Sequence, residues 1–380
     1  MELNHGRHLA YCTNIHRGET WSETLDALKT HTFAVRERVR PRGPFAIGLR
    51  LSHQAAIDLS DPTALLTFQR WLGENSCYVF TINGFPYGRF HGTRVKEQVY
   101  APDWTSPERL AYTNRLFDLL AQLLPAGVEG SVSTLPGSFK EFIQTGEQKK
   151  LIRENLWCCV EHIARLGKKS KQKLHLGIEP EPLCLLENSA ETISFFEQLR
   201  ADCNHDPRLG EFLGVNYDCC HFAVEFEEPH TALNSLRDAG IKISKLHLSS
   251  ALKSTATQEA RAALRKFADD VYLHQVVERD AKGQLKFFRD LPDALVAENS
   301  QFSEWRIHFH VPLHAPAAPP FENTNDHLLG ALDWLAENPG LCPHLEMETY
   351  TWEVLPDGMK DRDVVDQLAA EYDWTLGNLR

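Results

Sequence analysis

The sequence has no long hydrophobic run. Nowhere do apolar residues continue for the roughly 18 positions that a membrane-crossing helix needs, so no membrane span is expected. Positive charge is also scarce. Lys and Arg number 40 against 52 Asp and Glu, a formal net charge of −12, whereas a chain that tracks nucleic-acid phosphates needs a basic face. No nucleic-acid partner is expected. The opening stretch MELNHGRHLAYC has neither the basic n-region nor the apolar core of a secretory leader. Cys-x-x-Cys pairs are missing as well. The nine cysteines are odd in number and scattered, adjacent only at Cys158/Cys159 and Cys219/Cys220, which reads as reduced thiols of a cytoplasmic protein. There is no Gly/Ser-rich linker, low-complexity tract or internal repeat, and the Pro/Ala stretch Ala315–Pro320 is too short to mark a domain boundary. A single domain over residues 1–380 is expected.

What the chain does have is alternation. Short β-type runs occur at His8–Cys12, Ala46–Leu51, Cys77–Ile82, Gly130–Thr134, Leu174–Glu179, Gly214–Asp218, Ile243–Leu248, Trp305–Val311 and His344–Thr349. Amphipathic stretches such as SPERLAYTNRLFDLLAQLL and EQKKLIRENLWCCVEHIARL lie between them. Strand followed by helix, repeated, is the signature of βαβ units and a parallel sheet. Eight such strands close a (β/α)8 barrel; one candidate is therefore surplus. An excursion near residues 271–314 accounts for it, since VYLHQVVERDAKGQLKFFRDL reads as a β-hairpin turning at Asp280–Gly283.

Chemistry is concentrated where the runs end. LHLGIEPE (Leu174–Glu181) and GVNYDCCH (Gly214–His221) are apolar runs that stop abruptly in Glu179, Glu181, Asp218 and His221. His247 and the pair Glu346/Glu348 close two later runs. Residues two apart on a strand share a face, so parity does not separate Glu346 from Glu348; Glu348 is nearer the C-terminal mouth and is preferred. Carboxylates with imidazole form a mixed O/N donor set suited to Mn, Mg, Co, Fe or Zn. The NGFPYG loop, Asn83 to Gly88, carries Phe85 and Tyr87 as a candidate substrate wall, or is a structural turn. Arg89, His91 and Lys96 follow it and could meet a phosphate or carboxylate. His16, His53, His308, His310 and His314 also lie near run ends; His308 and His310 share a face, toward either the barrel interior or the helix layer.

The motifs IEPEP and GVNYDCCH resemble those of the xylose isomerase-like TIM barrels, which include sugar isomerases, ketose 3-epimerases and the endonuclease IV group. DCCH matches the Asp-x-x-His of the ketose epimerases. The resemblance implies Glu179, Asp218, His247 and Glu348 as ligands of a divalent metal and His221 as a substrate contact. It departs at Glu181, where xylose isomerases carry a catalytic lysine, and so favours an epimerase-type pair of carboxylates over a hydride shift. YCTNIHRGETW, INGFPYGRFHG, GSVSTLPGSFK, WRIHFHVP and HLEMETYTWEVLP together resemble the Ebo-cluster metabolite traffic protein E family. That likeness implies a place beside genes that move a metabolite precursor, with partners from the same cluster.

The resulting expectation is an isomerase or epimerase of a sugar-like or polyol-like metabolite, working through an enediolate, with Glu179 and Glu348 as the catalytic carboxylates. Asn83, Phe85, Tyr87, His16, His221, Glu181 and His310 are the candidate substrate contacts. Blander readings stand beside these: Glu181 as a second-layer partner, His221 as a helix cap, and His310 on an outward-packing hairpin. A non-catalytic metabolite carrier is the alternative function. Hydrolysis of phosphate esters by a multi-metal cluster is a third, disfavoured for DNA by the acidic charge.

Overall fold

The computed structural model describes residues 1–40, 42–89, 91–92, 94–298, 303–315, 319–355 and 362–379. Residues 316–318, inside the Pro/Ala stretch read as a loop, lie outside them. Eight strands form one parallel sheet: β1 (His8–Tyr11), β2 (Phe45–Arg50), β3 (Cys77–Asn83), β4 (Gly130–Thr134), β5 (Leu174–Ile178), β6 (Leu213–Asp218), β7 (Lys242–Leu248) and β13 (His344–Met347). Neighbours run β2 to β7 in chain order, then β13, then β1. A parallel bridge between Cys12 and Gly48 brings β1 back to β2 and closes the barrel. The strands are buried nearly throughout, as continuous apolar runs such as FAIGLR require when helices cover the outer face.

The two amphipathic stretches form helices Pro107–Leu123 and Gly146–Ser170. Each starts where its sequence offers a cap. Ser106 accepts the Glu108 N–H ahead of a proline at the first turn, and Thr145 with Gln148 makes a reciprocal capping box.

The surplus run is Trp305–Val311. Between β7 and the helix Asn325–Glu337 the chain leaves the barrel and builds a second, antiparallel sheet from β8 (Ala251–Thr255), β9 (Val276–Arg279), β10 (Leu285–Phe288), β11 (Glu304–His310) and β12 (Phe321–Asn323), in the order β10-β9-β11-β8-β12. The expected hairpin is β9–β10, pairing Val276 with Phe288 and Arg279 with Leu285. The excursion is wider than 271–314, because β8 and β12 flank it. This sheet has its own apolar core, including Leu264, Phe267, Val276, Trp305, Ile307 and Phe309. Its central strand, β11, delivers His308 and His310 to the barrel mouth.

Candidate metal centre and cavity

Four residues from four strand ends meet at the mouth. Glu179 follows β5, Asp218 ends β6, His247 lies in β7 and Glu348 follows β13; all are buried, and one ligand atom from each lies within 4.8 Å of the others. His247 is the hub. Its Nδ1 is 2.9 Å from Glu179 Oε1, 3.1 Å from Glu348 Oε2 and 3.3 Å from Asp218 Oδ2. A single ring nitrogen carries at most one proton, so three carboxylates cannot all be satisfied by it. The second oxygen of Glu179 and Oδ2 of Asp218 have no hydrogen-bond partner although both are buried. Carboxylates gathered round one imidazole nitrogen, with orphaned oxygens, fit a divalent cation by their donor chemistry.

The layer beneath orients the hub. Glu346, one turn of the pleat deeper than Glu348, accepts from His247 Nε2 at 2.9 Å and from the Lys245 ammonium. With Nε2 turned to Glu346, Nδ1 is the nitrogen left to face the three carboxylates and would be the one to bind a metal, the usual carboxylate–histidine arrangement behind a metal ligand. Glu346 itself is held down at about 2: burial opposes its charge, but Lys245 and His247 outweigh burial. Gly48 makes room for it, since a Cβ there would sit 2.0 Å from Glu346 Oε1 and 2.7 Å from the Tyr11 carbonyl.

Asp218 works twice. Its Oδ1 accepts the His221 N–H at 3.0 Å, capping the helix Cys219–Val224, and the Ser249 hydroxyl at 2.7 Å. Burial opposes its charge, yet His221 and His247 keep its carboxyl well below the usual range. For His247, burial is outweighed by Glu348 and Glu179, which push it well above an ordinary histidine. Glu348 Oε1 accepts from Asn14 Nδ2 at 2.7 Å and Asn83 Nδ2 at 3.1 Å.

Above the quartet lies a cavity of about 50 Å³ lined by Asn14, Asn83, Phe85, Glu179, Glu181, His221, His308 and Glu348 among others. Burial raises Glu181 to about 7; its Oε1 accepts from the Tyr100 hydroxyl at 2.6 Å and Gln275 Nε2 at 3.3 Å. His221 donates from Nδ1 to the Pro180 carbonyl at 2.9 Å, and its Nε2 faces His308 Nε2 at 3.1 Å. His308 and His310 both reach the mouth from β11, so their shared face is neither the barrel interior nor the helix layer. His310 Nδ1 donates to the Glu348 carbonyl at 2.9 Å, and its Nε2, buried, has no hydrogen-bond partner. Asp218, His221 and His310 form a second group of converging ligand atoms, and Glu181, His221 and His308 a third.

No family model matches the chain, and no curated protein matches it in sequence. Solved structures do resemble it. A probable 3-DHS dehydratase from Bacillus anthracis, involved in petrobactin synthesis, superposes with a TM-score of 0.51 at 11% identity over 97% of this chain and 98% of its own. An L-ribulose 3-epimerase superposes with a TM-score of 0.51 at 12% identity over 97% and 93%. The IOLI protein, solved with a zinc atom, gives 0.50 at 11% identity over 98% and 97%. The chain shares the (β/α)8-barrel fold of these structures.

Within this barrel, the mouth gathers Glu179, Glu181, Asp218, His221, His247 and Glu348, joined by Asn83 and Phe85 from the NGFPYG loop. Two expected contacts are not brought in. Tyr87 turns outward, stacking on His53 at 4.5 Å between ring centroids and lying under the Arg109 guanidinium. The Asn83 side chain accepts the Phe85 N–H at 3.0 Å, a tight turn that points Phe85 inward and carries Tyr87 past the rim. His16 is held aside by the Tyr11 hydroxyl at 2.9 Å and stacks on His31, and burial lowers it to about 3. Nor do Lys96 and His91 offer an anion site: the Lys96 ammonium bonds Asp290 at 2.7 Å and the Asp269 carbonyl at 2.8 Å, and His91 bonds the Tyr272 hydroxyl. Arg89 lines clefts outside the cavity. Residues not singled out from sequence are Asn14, Tyr100, Tyr272, Gln275 and Tyr350. Asn14 had a signal, lying just past the end of β1; the others come from loops and the inserted sheet, whose approach no spacing encodes.

Proposed function

We propose that this protein binds one divalent metal through Glu179, Asp218, His247 and Glu348 and isomerises or epimerises a sugar-like or polyol-like metabolite through an enediolate. The observation that carries the reading is the convergence of these four side chains on one point, beneath a cavity, with His247 oriented from behind by Glu346. A metal held there supplies Lewis acidity to a ketone and its neighbouring hydroxyl. Glu179 and Glu348 reach that point from the ends of β5 and β13, with β6 and β7 between them; one takes the proton from the carbon beside the carbonyl and the other returns it. Asn14 and Asn83 fix the Glu348 carboxylate, and Glu181, raised to about 7, can hold a proton near neutral pH. The barrel and its inserted sheet act as one domain in this reading, because both line the cavity.

The likeness of the YCTNIHRGETW and HLEMETYTWEVLP motifs to the Ebo-cluster family supports a place in metabolite-precursor traffic, with partners from that cluster. A cavity walled in part by aromatic side chains also suits, as a second reading, a carrier that binds its metabolite without turning it over. Solvent-proton exchange separates the two. Ketoses and cyclic polyols incubated in D2O with the metal-loaded protein should gain deuterium at the carbon beside the carbonyl, and Glu348→Gln should abolish the uptake. Uptake undiminished in Glu348→Gln sinks the catalytic role; no uptake with any compound leaves the carrier in front.

A further inference from the structure

The cavity is walled unevenly. Its floor is polar, with Glu179, Glu348, Asn14 and Asn83, while the cover presents Phe85, Val99, Tyr100, Tyr272, Leu273 and Tyr350, nearly all apolar or aromatic surface. The ionisable lining is acidic apart from His221, His308 and Lys96. Glu179, Glu181 and Glu348 line the space, and Asp218 lies beside them. Among the described residues the only Lys or Arg on the wall is Lys96, and its ammonium is held by the Asp290 carboxylate and the Asp269 carbonyl. Away from the metal, an anionic group would meet carboxylates and find no guanidinium or ammonium on the wall beyond the engaged Lys96, a costly arrangement in a buried space.

The cover is also latched. The N–H groups of Val95 and Lys96 both donate to the Val271 carbonyl, at 2.9 and 3.0 Å, beside the buried Lys96–Asp290 pair. The remaining space of about 50 Å³ holds a few waters at most. The aromatic faces of Phe85, Tyr100, Tyr272 and Tyr350 line the same space. Against Phe85, Val95, Val99 and Leu273 a chain of hydroxyls would lose hydration without gaining partners, whereas a flat or apolar body would not.

We propose that the ligand of this cavity is an uncharged α-hydroxyketone whose far side is an apolar or aromatic ring, rather than a phosphorylated or carboxylated sugar. The hydroxyketone end rests on the metal reading above; the uncharged, apolar far side rests on the cover and the charge of the walls alone.

The test is calorimetric titration of the full-length, Mn²⁺-loaded protein with three α-hydroxyketones that differ in the far side: 2-hydroxycyclohexanone, dihydroxyacetone and dihydroxyacetone phosphate. The ring compound should bind about tenfold or more tightly than dihydroxyacetone, as burial of several methylenes allows, and the phosphate should not bind detectably. Val99→Ala and Leu273→Ala should each erode the ring preference several-fold while leaving metal content and the affinity for dihydroxyacetone unchanged. Tighter binding of the phosphate, equal binding of ring compound and dihydroxyacetone, or no binding of any of the three would overturn the inference. Metal content is measured on the same samples. A loaded protein that prefers the phosphate refutes this inference and leaves the metal reading standing. A protein that takes up no metal refutes the metal reading, and its own titration with the three compounds still decides the far side by the same criteria.

Discussion

Glu346 and Glu348 sit two residues apart on one face of one strand and do different work. Glu348 faces the cavity under two asparagine amides, whereas Glu346 lies a layer down between Lys245 and His247. The sequence supplies the shared face, but only the packing of β7 beside β13 assigns the roles, since His247 and Lys245 belong to the neighbouring strand. Glu346→Gln should weaken metal binding about 10–100-fold by loosening the His247 ring, read by competition with a chromogenic chelator. It should also cost about 3–5 kcal/mol, because a buried Lys245 loses its counter-charge. Lys245→Met combined with Glu346→Gln should recover most of the stability in urea denaturation but not the metal affinity; recovery of both would remove Glu346 from the relay. Gly48→Ala should be destabilising by about 1–3 kcal/mol or more through overpacking, with the Glu346 carboxylate displaced, and a fully stable variant with normal metal affinity would show that the barrel yields there.

At the scale of elements, the barrel strands were legible and the inserted sheet only partly so. LHLGI and GVNYD read as strands because burial on both faces demands unbroken apolar runs, and their ends fell at the mouth for the same reason. The β9–β10 hairpin announced itself by its Asp-Ala-Lys-Gly turn. β8 and β12 did not, because their partners are fixed by tertiary packing: β12 has only three residues, and β8 starts after only Ser249 and Ser250 beyond β7, so the sequence reads as one continuing segment. The loop after β3 was recognised as a turn, yet which of its aromatics faces inward depends on the Asn83–Phe85 hydrogen bond. The insertion matters to the site, because β11 delivers His308 and His310 and the segment before β9 delivers Gln275. Trp305 anchors it, fully buried and donating from Nε1 to Glu278 at 3.0 Å. Trp305→Ala should cost about 3–5 kcal/mol in urea denaturation. It should also loosen the His221–His308 contact, visible as a changed histidine ring signal by NMR. A variant losing little stability would mean that the inserted sheet stands on its hairpin alone.

Across the whole molecule, the C-terminal helix Val364–Asn378 ties the mouth together through one buried acid. Glu371 accepts the Thr349 hydroxyl at 2.9 Å, next to Glu348, and the Leu313 N–H at 3.2 Å, just beyond β11. Burial raises its carboxyl to about 7, and the two hydrogen bonds offset only some of that. A raised acid favours folding fully below its unfolded value near 4.5, and that contribution is lost as pH climbs through about 7. Glu371→Gln keeps an acceptor for both donors, so it should match the wild type near pH 4.5 and exceed it by up to about 3 kcal/mol at pH 8; an unchanged pH profile in urea denaturation would contradict the assignment. No helix among the described residues is long and apolar enough to cross a membrane. A metal at the strand ends is open to elemental mass spectrometry on protein purified without chelators, with an Asp218→Ala/His247→Ala variant alongside. About one equivalent of a divalent metal per chain is expected in the wild type, and none in the variant. Wild type and variant equally empty, even after soaking in Mn²⁺ or Zn²⁺, would contradict it.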